Sequence, residues 1–316
     1  MQTLNLTAEI LRLKKERKAV ILAHNYQRPE IQDLADFTGD SLGLSRQAQG
    51  TDAEVIVFCG VHFMAETASI LNPGKKVLLP DLLAGCSMAD MISADQLLDL
   101  KEQHPGALVV SYVNTTAAVK AESDICCTSS NARQVVESLP KGRQILFVPD
   151  KFLGRWVQEQ TGRDMVFWDG WCPVHMEIRD HGVEILEREH PQAWLVAHPE
   201  APLEVRRRAR LVASTEGMIS ACRQAPAREF IIATETGILH KLRREMPDRV
   251  FYAAAELAVC PYMKRTGLEQ LHLALRDLKP EVKVPEAVRQ AALKPIQRML
   301  DLGLPAGDPD GPACRC

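Results

Sequence analysis

This chain is built on a threefold internal repeat, so one structural unit must serve three times. Residues 9–26, EILRLKKERKAVILAHNY, are echoed by LLDLKEQHPGALVVSYVN at 97–114 and by VEILEREHPQAWLVAHPE at 183–200. Each is an amphipathic helical pattern, a short break, and an apolar strand ending in polar residues. Those ends are His24-Asn25-Tyr26, Tyr112-Val113-Asn114 and His198-Pro199-Glu200. Downstream, GDSLGLSRQAQ, CTSSNARQVVES and VASTEGMISACRQ each open a helix-compatible stretch with Ser or Thr. The apolar strands EVIVFCG, QILFVPD and EFIIATE follow, and then KKVLLPDLLAGC, RDMVFWDGWC and DRVFYAAAELAVC each set a strand shortly before a cysteine. The landmarks keep one period: Cys172 lies 86 residues after Cys86 and Cys260 lies 88 after Cys172. Ser129 lies 88 after Ser41, and Thr215 lies 86 after Ser129.

The strands are continuous apolar runs, which suits parallel strands buried on both faces. The expected fold is therefore α/β: three similar three-layer α/β/α domains with short parallel sheets around a pseudo-threefold axis. The domains span approximately 1–86, 87–172 and 173–260. The segment after 260 reads as helices that pack near the first domain. In such sheets, ligands bind beyond the carboxyl ends of the strands. All the polar landmarks sit at those ends, so three copies meeting at an axis would bring one cysteine each to a shared cavity.

Nine cysteines are present, with 46% hydrophobic content and a net charge of −3. Cys59, Cys126, Cys127 and Cys222 lie in apolar runs and read as buried thiols. Cys86, Cys172 and Cys260 are set apart by their equivalence and read as metal ligands. A structural zinc normally takes four protein ligands, often with a C-x2-C pair, and no such pair exists here. Iron–sulfur clusters normally take four cysteines, so three leave one iron open as a Lewis acid. Ser41, Ser129, and Ser214 with Thr215 read as helix N-caps, whose free N–H groups suit anionic ligands. His24, Tyr26, Tyr112, Asn114, His198 and Glu200 at the strand ends, with His175 beside Cys172, are the candidate acid–base and binding groups. His62, His104, His190, His240 and His272 read as structural or surface residues. Arg206-Arg207-Arg208 reads as a solvated helix face, and the tail bearing Cys314 and Cys316 as flexible.

No basic stripe is present, which argues against nucleic acid. No apolar run reaches the ~20 residues of a membrane span. The first twenty residues lack the apolar core of a signal peptide. A cytoplasmic protein is expected.

The segments ILAHNYQ (21–27), GDSLGLS (39–45), DLLAGCSMADM (81–91), YVNT (112–115), TSSN (128–131), GWCPVH (170–175) and AHPE (197–200) resemble the signature segments of the quinolinate synthase family. The resemblance spans roughly 20–265 in the family's order. It implies three α/β/α domains around a [4Fe–4S] cluster held by one cysteine per domain, here Cys86, Cys172 and Cys260. It implies condensation of iminoaspartate with dihydroxyacetone phosphate to quinolinate, phosphate and two waters, within NAD biosynthesis. By the same resemblance His24, Tyr26, Tyr112, His198 and Glu200 match catalytic positions, with Glu200 in proton transfer. Ser41, Asn114, Ser129, His175, Ser214 and Thr215 match substrate-binding positions. The unstable imine implies an aspartate oxidase or dehydrogenase as upstream supplier. One departure stands out: some members carry C-x2-C-x2-C around the last ligand, whereas Cys260 here is alone in AAAELAVCPYMK. Two rival readings are another open-iron dehydratase and a cluster-bearing sensor.

Overall fold

The structure, a computed structural model, describes residues 2–302. Cys314 and Cys316 lie outside the described residues. Twelve short strands form three sheets. The first holds β1 (Ala19–His24), β2 (Phe37–Gly39), β3 (Val55–Cys59) and β4 (Lys76–Leu78). The second holds β5 (Leu108–Tyr112), β6 (Ile125–Cys127), β7 (Ile145–Val148) and β8 (Met165–Phe167). The third holds β9 (Trp194–Ala197), β10 (Leu211–Val212), β11 (Glu229–Ala233) and β12 (Val250–Ala253). All pairings are parallel, and in each sheet the second strand of the unit lies at one edge and the fourth at the other. The three units are thus α/β/α sandwiches of one topology. The register repeats as well: Ala23 faces Cys59, Ser111 faces Val148, and Ala197 faces Ala233.

Continuous apolar strands are buried throughout, as two-sided burial demands. The edge strands β2, β6 and β10 are too short for a sequence pattern to announce them. One apolar core runs from the first unit into the second, from Leu22 and Phe58 to Val110 and Phe147. The third unit has cores of its own, around Phe230 and around Ile231. The C-terminal part divides its packing: helix Leu268–Asp277 lies on helix Gln2–Glu16 and β3, whereas helix Glu286–Asp301 lies on helix Ala117–Ala121 and β6 of the second unit and on helix His62–Leu71 of the first.

Three local expectations are corrected. Helix Ser41–Gly50 is capped by Asp40, whose carboxylate accepts the Gly43 N–H at 2.8 Å, so Ser41 is its first helical residue. Helix Ala132–Ser138 starts after Asn131, so Ser129 lies ahead of the cap. Only Ser214 caps as expected, accepting from Gly217 N–H at 3.3 Å, with Thr215 next to it. Arg206 is buried rather than solvated: it bonds the Ala201 carbonyl at 3.2 Å and Glu159 of the second unit at 3.1 Å.

Candidate active site

The carboxyl ends of β1, β5 and β9 face one central cavity. Its walls carry thirteen of the candidates: His24, Tyr26, Ser41, Cys86, Tyr112, Asn114, Ser129, Cys172, His175, His198, Glu200, Thr215 and Cys260. Ser214 stands behind Thr215 and does not reach the wall.

The first and third units present their histidines in the same way. In each, the chain turns just past the strand, with Gln27 N–H bonded to the His24 carbonyl and Ala201 N–H to the His198 carbonyl. The same turn brings Tyr26 N–H to His24 Nδ1 at 3.1 Å and Glu200 N–H to His198 Nδ1 at 3.3 Å. An Nδ1 that accepts fixes the neutral tautomer with its proton on Nε2. Burial, against the opposing pull of the Glu200 charge, pushes both imidazoles down to about 3, so both stay neutral at physiological pH. Each is thus a set N–H donor; the His198 Nε2 lies 3.2 Å from Ser129 Oγ.

Glu200 sits at the centre of a polar chain. Its Oε1 accepts from Tyr112 hydroxyl at 2.5 Å, and its Oε2 lies 3.0 Å from His175 Nδ1. That nitrogen is buried and off the hydrogen-bond direction, so it is close to the carboxylate without a satisfied bond. His175 Nε2 is bonded to Thr234 Oγ1 at 2.8 Å, and Thr234 Oγ1 also contacts the Tyr26 hydroxyl. Burial alone would raise the Glu200 carboxyl, but its contact with His175 and the Tyr112 bond hold it below the usual carboxylate range. It is ionised at neutral pH. Burial and the Glu200 charge push both tyrosines well above their ordinary value, so they remain hydrogen-bond donors.

The three equivalent cysteines open onto the cavity, each partly buried. Burial raises all three thiols, Cys86 to about 12; Cys260 adds to the rise at Cys86, and Glu200, Cys86 and Cys260 add to it at Cys172. Thiols raised in this way are protonated at neutral pH and would release their protons on binding a metal. Among the described residues, the one set of three ligand atoms within 4.8 Å of one another is Cys172, His175 and Glu200. The three sulfurs are therefore too widely set to share a single ion. Thiols separated in this way, with no fourth cysteine on the wall among the described residues, would suit a polynuclear cluster better than one zinc. Cys59, Cys126, Cys127 and Cys222 are buried thiols in the cores.

Several site residues escaped the sequence reading. Asp40 lines the cavity and is bonded by the Ser130 hydroxyl of the second unit. Asn25 Nδ2 donates to Thr215 Oγ1 at 3.0 Å and to Glu216 at 2.8 Å, tying the first unit to the third. Lys241 completes that tie, donating to Asn25 Oδ1, the Thr38 carbonyl and Glu216. Thr234 and Glu235 follow β11 directly; the position was visible in EFIIATE, but its role was not.

Known proteins carry the same text. The family model described as NadA, quinolinate synthetase A protein, matches residues 8–301. A quinolinate synthase of Geobacter metallireducens is 54% identical over 300 residues, covering 95% of this chain and 98% of its own. Those of Trichodesmium erythraeum and Thermus thermophilus are each 52% identical, covering 92% and 94% of this chain and 91% and 97% of their own. With three equivalent thiols on one cavity and this likeness over almost its whole length, the chain belongs to the quinolinate synthase family.

Proposed function

We propose that this chain condenses iminoaspartate with dihydroxyacetone phosphate, giving quinolinate, phosphate and two waters, as a step of NAD biosynthesis. This makes it a transferase that forms a C–C bond and then closes and dehydrates the ring. Cys86, Cys172 and Cys260 would hold a [4Fe–4S] cluster. When bound, such a cluster supplies a Lewis-acidic iron with an open position. The observation that carries the proposal is the meeting, on one cavity, of three repeat-equivalent thiols and the Tyr112–Glu200–His175 chain.

The protein's own groups suit that chemistry. The substrates bring two carboxylates and a phosphate. The first turns of helices Ser41–Gly50 and Thr215–Gln224 offer N–H groups and partial positive charge for such anions. The Nε2–H groups of His24 and His198 hold oxygen substituents from the first and third units. Ionised Glu200 takes a proton from carbon or returns one to a departing hydroxyl, and Tyr112 follows the charge change through its bond. Thr234 lets Tyr26 and His175 share a proton across the first and third units. Lining groups that are mostly buried limit competing water, which matters for a hydrolysable imine.

That instability also calls for an aspartate oxidase or dehydrogenase as supplier. A cytoplasmic setting accords with free thiols and an oxygen-sensitive cluster. No helix among the described residues is long and apolar enough to cross a membrane.

The test is anaerobic. Protein with about four irons and four sulfides per chain is supplied with both substrates, and quinolinate and phosphate are quantified. Equal amounts of the two support the assignment. Cluster-loaded protein that forms no quinolinate overturns it, and would favour another open-iron dehydratase.

A further inference from the structure

The three cysteine loops share one clamp. The backbone N–H three residues past the third strand of each unit bonds the carbonyl two residues before the cysteine. These pairs are His62 to Ala84 at 2.7 Å, Lys151 to Gly170 at 2.9 Å, and Thr236 to Ala258 at 3.0 Å. The residue just before each of these donors differs: Val61, Asp150 and Glu235. Val61 offers no acceptor. Asp150 caps its own following helix, accepting Leu153 N–H at 2.6 Å, and its carboxylate also faces the backbone N–H of Cys172. Glu235 bonds its cysteine loop directly: its Oε1 accepts the N–H of Cys260 at 2.9 Å, and its Oε2 accepts Gly237 N–H at 2.7 Å.

Glu235 is 1% exposed, a charge that burial makes costly unless paired. Lys264 pairs with it at 2.8 Å and also donates to the carbonyl of Tyr26 in the first unit. The crossing leaves no room for a side chain at Gly237, where a Cβ would meet Lys264 Nζ and Tyr26 O at 2.7 Å. One carboxylate thus ties together the third cysteine, the turn after β11 and the tyrosine turn of the first unit.

We infer that Glu235 is a positioning residue that orients Cys260 as a metal ligand, and that through Lys264 it holds Tyr26 in register with that ligand. The inference rests on the cluster proposal above. Outer partners of this kind matter because a ligand whose backbone is free to turn loses its aim.

Two double variants isolate the acceptor from the charge. E235Q/K264M keeps an oxygen for Cys260 N–H, and E235L/K264M removes it; neither leaves an unpaired ammonium. Holoproteins are mixed anaerobically with an iron(II) chelator and the loss of visible absorbance is timed, with the melting temperature of each metal-free form as folding control. E235L/K264M is expected to shed iron about 10- to 100-fold faster than wild type, and E235Q/K264M at close to the wild-type rate. Equal rates in the two overturn the inference. Glu235→Asp, one methylene shorter, keeps the pair with Lys264 but withdraws the oxygen from Cys260. Wild-type iron retention in that variant overturns the inference even where E235L/K264M does not fold. Wild-type protein that never holds iron and sulfide overturns the cluster proposal and this brace together, a result distinct from either of these.

Discussion

Replacing Glu200 with glutamine keeps the shape of the side chain and removes its charge. The carboxylate is 3% exposed and has two neighbours that answer to that charge: the Tyr112 hydroxyl at 2.5 Å and His175 Nδ1 at 3.0 Å. Its bond to Tyr112 is charge-assisted, worth about 1.5–3 kcal/mol against about 1 kcal/mol for a neutral one. An amide keeps an acceptor for Tyr112 but cannot take a proton. Loss of a positioned acid–base group lowers turnover by about 100- to 10,000-fold, equivalent to about 2.7–5.4 kcal/mol on the barrier. Stability should not fall in step, because the buried charge that cost desolvation is gone. The assay is anaerobic quinolinate formation, with iron and sulfide per chain and the melting temperature measured on the same preparation. Glu200→Gln should carry a full cluster, melt within a few degrees of wild type, and turn over at a small fraction of its rate. Wild-type turnover removes Glu200 from catalysis. Loss of the cluster would instead make it a metal ligand, which its closeness to Cys172 makes a serious alternative to exclude.

Cys172→Ala should lose the brown visible absorbance and most of its iron; a full complement of iron and sulfide refutes its ligand role. Gly170→Ala places a Cβ 2.4 Å from the Pro149 carbonyl and 3.2 Å from Trp168, two residues before Cys172. Overpacking there should cost about 1–3 kcal/mol and lower iron content; unchanged melting and iron content would show that the loop yields freely. His24 and His198 have folded values of about 3 against an ordinary 6.5, so the unfolded chain binds more protons below pH 6.5. Metal-free protein should therefore hold its stability above pH 6.5 and lose up to about 1.4 kcal/mol per pH unit for each histidine below it. Denaturant unfolding at pH 7.5, 6.5 and 5.5 checks this, and a profile flat to pH 5.5 contradicts neutral burial of the pair.

The parallel α/β/α units and the ends of their central strands were legible because buried parallel strands are written as unbroken apolar runs, and three copies reinforced one another. The edge strands were not, since Phe37–Gly39 and Leu211–Val212 are two or three residues long and have no period to read. The caps failed for a related reason. Asp40 and Ser41 are adjacent and both suited to capping; backbone geometry decides between them, with Asp40 extended at φ −82° and ψ 177°. Arg206 was hidden by its neighbours, because three consecutive arginines look like one face although successive helical residues point about 100° apart. The cross-unit ties were least visible of all. Asn25 meets Thr215 across 190 residues and Lys241 across 216, and neither pair has any local pattern.

Symmetry explains why the three cavity cysteines could be read and their surroundings could not. Equivalent positions in three like units arrive at one axis, so one cysteine per unit converges without any local motif. A substrate, however, has no threefold axis. The position of Tyr26 is occupied by Asn114 and Glu200 in the other units, and that of His24 by Tyr112 and His198. Each unit thus delivers a different group to the same height of the cavity: a hydroxyl and an imidazole, an amide and a hydroxyl, a carboxylate and an imidazole. The frame has to repeat for the thiols to meet, and the side chains around it have to differ for the cavity to hold an asymmetric molecule in one orientation. The same division holds behind the cysteines, where one clamp recurs three times but the residue beside it is Val61, Asp150 or Glu235, and Glu235 accepts the N–H of Cys260 at 2.9 Å.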